Sequence, residues 1–196
     1  MIDDISGVVL AGGANRRFNG LIKSNLVIGG ETIMSRITGV LDGIFSNIIV
    51  VTNTPGAFRR MDKFRVVGDR FRNIGPLGGI HAAMKASRCS ACFIFAGDMP
   101  LLDRNLIVRQ TEFYRQHRCD VLIARSNDYT EPLHAIYSTR ILKSLERYIS
   151  GEKNYAVRKF LETVDVDYFD LTPSDIACRP FTNINYPDDI KDLENL

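Results

Sequence analysis

The chain predicts an α/β fold in which a mostly parallel sheet is covered by helices on both faces. Three observations predict it. Short apolar runs of strand length recur along the chain. Amphipathic stretches of helical length alternate with them. Glycines or aspartates follow several of the runs, where a parallel sheet gathers its ligand-binding loops. At 196 residues the expected organisation is a single domain over 1–196.

The elements follow in order. Ile5–Leu10 reads as a buried strand. Leu26–Ile28 with Gly29, Gly30 and Glu31 forms a small turn, and Thr32 caps a helix to about Leu41. Asn47–Thr52 is a second strand, and Phe64–Val67 is a short third that ends at Gly68-Asp69. Gly75-Pro76 opens a helix over Leu77–Ala86. Ala91–Ala96 is a continuous apolar strand, and Arg104–His117 a long helix. Asp120–Ala124 is a strand, a turn covers Asn127–Pro132, and Leu133–Tyr137 is a further strand. Arg140–Tyr148 and Asn154–Leu161 are helices, Val164–Phe169 a late strand, and Pro187–Leu193 a terminal helix.

Composition narrows the function classes. A net charge of +2 does not imply a nucleic-acid partner. With 45% hydrophobic residues the chain can bury a sizeable core. No apolar run approaches the roughly 18 residues of a membrane span. Met1-Ile-Asp-Asp lacks the basic start of a signal peptide, so a cytoplasmic location is expected. Cys89-Ser-Ala-Cys92 has the spacing of a metal or redox pair. Cys119 and Cys178 are too scattered to complete a zinc site, so plain buried or surface thiols are the competing reading.

Chemistry concentrates at strand ends. Val8–Leu10 empties into a loop with Gly12, Gly13, Arg16 and Arg17 that ends at Lys23. Glycines let backbone N–H groups approach phosphate oxygens, and the cations neutralise charge. A P-loop requires glycine before Lys-Ser, but Ile22 stands there. The dinucleotide fingerprint is equally absent. Asp98, in Gly97-Asp-Met-Pro100, sits at the end of a buried strand. It suits a Mg²⁺ ligand, or a cap for the following helix. Asp69 suits a ribose hydroxyl or a base edge, or a turn. Gly75-Pro-Leu-Gly-Gly79 allows close backbone approach by a base or ribose at a helix start.

These motifs resemble the molybdenum cofactor guanylyltransferase family of nucleotidyltransferases. Leu10, Ala11, Gly12, Gly13, Arg17 and Lys23 fall in register on its Leu-Ala-Gly-Gly-x-Ser-x-Arg-Met-Gly-x-x-Asp-Lys signature. Asn15, Phe18, Asn19 and Ile22 depart from it. The Gly75–Gly79 run and Thr182-Asn-Ile-Asn-Tyr-Pro187 match the family's guanylyl-type motifs, and the likeness spans Val8 to about Leu193.

The resemblance implies a Rossmann-like three-layer sandwich of the nucleotide-diphospho-sugar transferase type. It implies GMP transfer from GTP to molybdopterin, with Mg as cofactor. Lys23, Arg17 and Asp98 would be catalytic. Leu10, Ala11, Gly12, Gly13, Lys23, Asn53, Asp69, Gly78 and Asp98 would bind GTP. Asp98 and Asn185 would hold the metal. Asn183, Asn185 and His134 would meet the pterin substrate. Asn185 could equally cap the last helix, Lys23 could be a solvated lysine, and His134 could be a packed strand residue. Transient contact with pterin-delivering or molybdoenzyme partners is also implied. A cytidylyl- or sugar-nucleotide-forming transferase, or a non-catalytic GTP-binding homologue, is the alternative.

Overall fold

The computed structural model describes residues 1–12, 23–58, 63–127, 129–151, 154–186 and 188–194. Gly13, Arg16 and Arg17 lie outside these residues. The strands in chain order are β1 Ile5–Leu10, β2 Val27–Ile28, β3 Glu31–Thr32, β4 Ile48–Val51, β5 Arg65–Val67, β6 Ala91–Ala96, β7 Val121–Ser126, β8 Tyr129–Ser138 and β9 Val166–Asp170. The helices are α1 Ile33–Asp42, α2 Pro76–Ala86, α3 Arg104–Gln116, α4 Leu142–Gly151, α5 Val157–Leu161, α6 Pro173–Ala177 and α7 Asp188–Glu194.

Seven strands form one sheet in the order β5-β4-β1-β6-β8-β7-β9, and β2-β3 is a separate small hairpin. β5, β4, β1 and β6 are mutually parallel, β8 runs against both β6 and β7, and β9 is parallel to β7. β1 and β6 at the centre are buried at every position. Both faces need cover because both are apolar. On one face Val9, Val50, Phe93, Phe95 and Leu122 pack with Ile33, Ile37 and Leu41 of α1 and Leu106 and Ile107 of α3. On the other, Val8, Ile49, Ile94 and Ile123 pack with Leu77 and Ile80 of α2, Leu145 of α4 and Phe160 of α5.

Local signals account for most boundaries. The Thr32 side chain accepts from the Ser35 backbone N–H at 3.1 Å and caps α1. Pro76 stands in the first turn of α2 after Gly75, whose φ of 67° favours glycine. The Asp103 side chain accepts from Leu106 N–H at 2.7 Å and caps α3.

Three expectations need correction. The turn expected over Asn127–Pro132 is confined to its start. Asn127 takes a left-handed φ of 51°, and β8 begins at Tyr129. Pro132 does not end the strand, because the β7–β8 register shifts between Ile123 and Ala124. A bulge is where a strand tolerates a residue without an N–H donor. The helix expected from Asn154 starts at Val157, since Asn154 Oδ1 accepts from Ala156 N–H at 3.0 Å and holds a turn instead. The helix expected from Arg140 opens as a 3₁₀ turn over Thr139–Ile141 and becomes α-helical at Leu142.

α6 adds an element. Thr172 and Asp175 form a capping box around it, and Asp175 also pairs with Arg109 of α3.

Candidate active site

The loops that leave the carboxyl ends of β1, β4, β5 and β6 meet on one edge of the sheet. Its centre is the β1–β6 junction. There Gly97 N–H donates to the Leu10 carbonyl at 3.0 Å, and Ala11 N–H donates to the Val51 carbonyl at 2.8 Å. A Cβ on Gly97 would lie 2.8 Å from the Leu10 oxygen and 3.1 Å from the Ala11 Cα. Glycine at 97 therefore lets the start of the glycine-rich loop lie directly against the segment that carries Asp98. Gly12 is exposed, and a Cβ there would meet nothing within 4 Å. Lys23 returns at the far end of the loop in a 3₁₀ turn over Lys23–Asn25.

Asp98 stands two residues past the end of β6, after Gly97, and is half-buried. It does not cap α3, because Asp103 does. Its carbonyl accepts from Ile184 N–H at 2.9 Å, and the Ile184 side chain is fully buried in the core. That anchor brings Asn183 and Asn185 beside Asp98 from about 85 residues away in sequence, a juxtaposition no local pattern contains. Asn183 Nδ2 donates to the Phe181 carbonyl at 3.5 Å. Asp189 at the start of α7 accepts from the Asn185 and Tyr186 N–H groups at 2.6 and 2.8 Å and fixes the turn.

On the β4–β5 side, Asn53 and Asp69 form a reciprocal pair. Asn53 Nδ2 donates to Asp69 Oδ2 at 3.1 Å, and Asp69 N–H donates to Asn53 Oδ1 at 3.1 Å. Burial raises the Asp69 carboxyl above the usual aspartate range, while the Asn53 hydrogen bond and the nearby Arg72 charge oppose the rise. Gly78 is buried in the first turns of α2. A Cβ there would overlap the Phe71 carbonyl oxygen, so the glycine admits the chain's own backbone rather than an open ligand cleft. Its N–H donates to the Gly75 carbonyl at 3.2 Å.

His134 departs from its expected place. It is fully buried, with Phe93, Phe95 and Phe181 around it at ring separations of 5.2–5.3 Å. Neither ring nitrogen has a hydrogen-bond partner among the described residues. Burial pushes its pKa down to about 4. It lies beneath the surface of the sheet edge and has no exposed face with which to touch a second substrate.

Cys92 is buried in β6, and burial pushes its thiol up to about 12. Cys89 donates to the Asp3 carbonyl at 3.2 Å. Among the described residues no group of three or more His, Cys, Asp or Glu could hold a metal. Cys89 and Cys92 are both free thiols in this structure.

Sequence reasoning singles out neither Tyr129 nor Glu131, both at the rim. Tyr129 OH donates to Glu131 Oε2 at 2.7 Å. Burial, then this bond, pushes the phenol up to about 12. Their i, i+2 spacing in a run of strand formers is the signal available.

A half-buried carboxylate beside a glycine-rich strand exit, on the carboxyl edge of a doubly covered sheet, defines an α/β nucleotidyltransferase. The chain matches the MobA-like NTP transferase domain over residues 7–167 and belongs to that family. It is 31% identical over 193 residues to the probable molybdenum cofactor guanylyltransferase of Methanothermobacter thermautotrophicus, covering 95% of this chain and 97% of that one. It is 32% identical over 163 residues to the molybdenum cofactor guanylyltransferase of Syntrophotalea carbinolica, covering 83% and 76%. Its fold superposes on the crystal structure of molybdopterin-guanine dinucleotide biosynthesis protein A from Archaeoglobus fulgidus with a TM-score of 0.84, at 26% identity over 97% of both chains.

Proposed function

We propose that this protein transfers GMP from GTP to the phosphate of molybdopterin, giving molybdopterin guanine dinucleotide and pyrophosphate. The observation that carries the reading is the two-sided site at Asp98. Asn53 and Asp69 lie on one side of it, and the Asn183–Asn185 segment is anchored to it on the other. One side suits a nucleoside and the other an acceptor, with the reacting phosphorus between them. The guanylyltransferase relatives support GTP over CTP and molybdopterin over a sugar phosphate as substrates.

The acceptor phosphate is already ionised at neutral pH, because its second pKa is about 6. No general base is required. Catalysis reduces to positioning for in-line attack on the α-phosphorus and to neutralising charge. Leu10 to Gly13 would line the triphosphate, and Lys23 and Arg17 would stabilise the departing pyrophosphate. Asp69, held by Asn53, would accept from the ribose or the guanine edge, beside the α2 turn that contains Gly78. Asn183 and Asn185 would orient the acceptor.

Asp98 and the Asn185 side-chain oxygen would offer a hard, oxygen-only donor set, and Mg²⁺ takes one or two carboxylates plus phosphate oxygens. These residues fit that ion, and two of them suffice because the nucleotide supplies the rest. When bound, it would neutralise triphosphate oxygens and act as a Lewis acid there. The chain would act as a single domain in the cytoplasm.

The test is pyrophosphate release with molybdopterin as acceptor, comparing GTP with CTP with and without Mg²⁺. Release with GTP alone is expected. Release with CTP would move the chain to cytidylyl transfer. GTP binding without release, with an active acceptor present, would make it a binding module.

A further inference from the structure

An aromatic cluster at the same sheet edge as Asp98 has no role in the transfer as described. β8 runs against β6 with His134 opposite Phe95. β8 therefore begins beyond the carboxyl end of β6, on the edge from which Asp98 issues and on the side away from Asn53 and Asp69, with Glu131 near its start. Tyr129 stands two residues further out, roughly 7 Å along the strand.

Tyr129 is 47% exposed, yet its hydroxyl is held by Glu131, which is only 7% exposed. The other Glu131 oxygen accepts from Leu133 N–H at 3.0 Å. An exposed tyrosine ordinarily gives its hydroxyl to water. Here the hydroxyl is tied to a buried carboxylate, and ring surface faces outward. Phe181 backs the ring at 6.1 Å and rests on His134 at 5.3 Å. Phe181 is also two residues from Asn183. One aromatic layer thus runs from the core under β6 to the rim, and its last ring is fixed and open. Planar fused-ring ligands stack on such rings, and an orientation held in advance lowers the entropy cost of binding.

We infer that Tyr129, held by Glu131 and backed by Phe181, is the stacking platform for the fused-ring end of the acceptor. The inference rests on molybdopterin being that acceptor and makes Tyr129 a specificity-determining residue for the second substrate. The nucleotide has its own half of the edge, so the effect of Tyr129 is confined to the acceptor.

The chain contains no tryptophan, so Tyr129→Trp introduces a single reporter at the platform. Its emission is expected to be quenched on titration with molybdopterin and to stay unchanged with GTP. In Tyr129→Ala the KM for molybdopterin should rise about tenfold, the size of one lost stacking contact. The KM for GTP should not move, and Tyr129→Phe, which keeps the ring but loses the Glu131 bond, should restore only part of the acceptor affinity. No quenching by molybdopterin would overturn the inference. So would a Tyr129→Ala variant in which both KM values rise or neither does. Quenching without turnover by the wild-type chain would leave the platform standing and remove the transfer reading, so the two failures are distinguishable.

Discussion

On the β5-β4-β1 side of Asp98 the rim of the sheet is parallel and polar, with Asn53 and Asp69 bonded to each other through both their side chains and one backbone N–H. On the β6-β8-β7 side the sheet is antiparallel, and an aromatic layer of Phe93, Phe95, His134 and Phe181 leads from the core out to Tyr129. Each polar group on the first side issues from a strand end into a loop. The second side depends on a hairpin that doubles back past the edge. The difference teaches that one sheet edge can be assembled in two ways. Strand-end loops present hydrogen-bonding groups, and a projecting hairpin presents flat apolar surface.

Removing the group between the halves has the largest expected effect. Asp98→Ala should lower pyrophosphate release about a thousandfold or more without changing the thermal melt. Retained turnover would mean that the halves do not meet at Asp98.

The aromatic half should carry its own pH signature. His134 has a folded pKa of about 4 against 6.5 in the free side chain. For a base whose pKa is lowered by folding, the stability is present above 6.5 and is lost as pH falls from 6.5 to about 4. The loss amounts to about 3 kcal/mol at most. Urea midpoints at about pH 7, 5.5 and 4 should show this slope in the wild type and a flatter one in His134→Leu. Parallel slopes would show that the histidine is not held neutral.

Two glycines separate packing from binding. Gly78→Ala meets the Phe71 carbonyl and should destabilise by roughly 1–3 kcal/mol. Gly12→Ala has open space and should leave the melt unchanged while weakening GTP binding. Equal melting temperatures in the two variants would contradict the close contact at Gly78.

The polar half should respond through Asp69. Asn53→Ala removes both side-chain bonds to it and should raise the GTP KM about tenfold, leaving the acceptor KM alone. The smallest effect concerns stability. Folding raises the Asp69 pKa, so its favourable contribution is present below the unfolded value and is lost as pH rises through the folded one. At neutral pH the buried charge is a burden. Asp69→Asn should therefore melt roughly 1–2 °C higher while binding GTP less tightly. A lower melt would show that the Asn53 bond and the Arg72 charge outweigh the cost of burial.

The central strands, the helix starts and the carboxylates at strand ends are largely legible in the amino-acid order. Ile5–Leu10 and Ala91–Ala96 are continuous apolar runs, and both are strands over those residues. Thr32 and the Gly75-Pro76 step mark helix starts through chemistry internal to a few residues. α6 is open to the same reasoning, since Thr172-Pro-Ser-Asp175 spells its capping box. Asp69 and Asp98 are legible as residues that follow strands.

The aromatic half is not legible in this way. Pro132 reads as a break until the bulge in the β7–β8 register gives it a place without a donor. A strand histidine reads alike whether it faces a ligand or the core, and register across β6 puts His134 in the core. The Asn53–Asp69 bonds, the Ile184–Asp98 anchor and the Tyr129–Phe181 contact join segments distant in sequence. Capping and periodicity act over a few neighbouring residues, so the amino-acid order suffices to place elements and their end loops. Register and strand order minimise the packing free energy of all the elements together, so they emerge only when the sheet assembles.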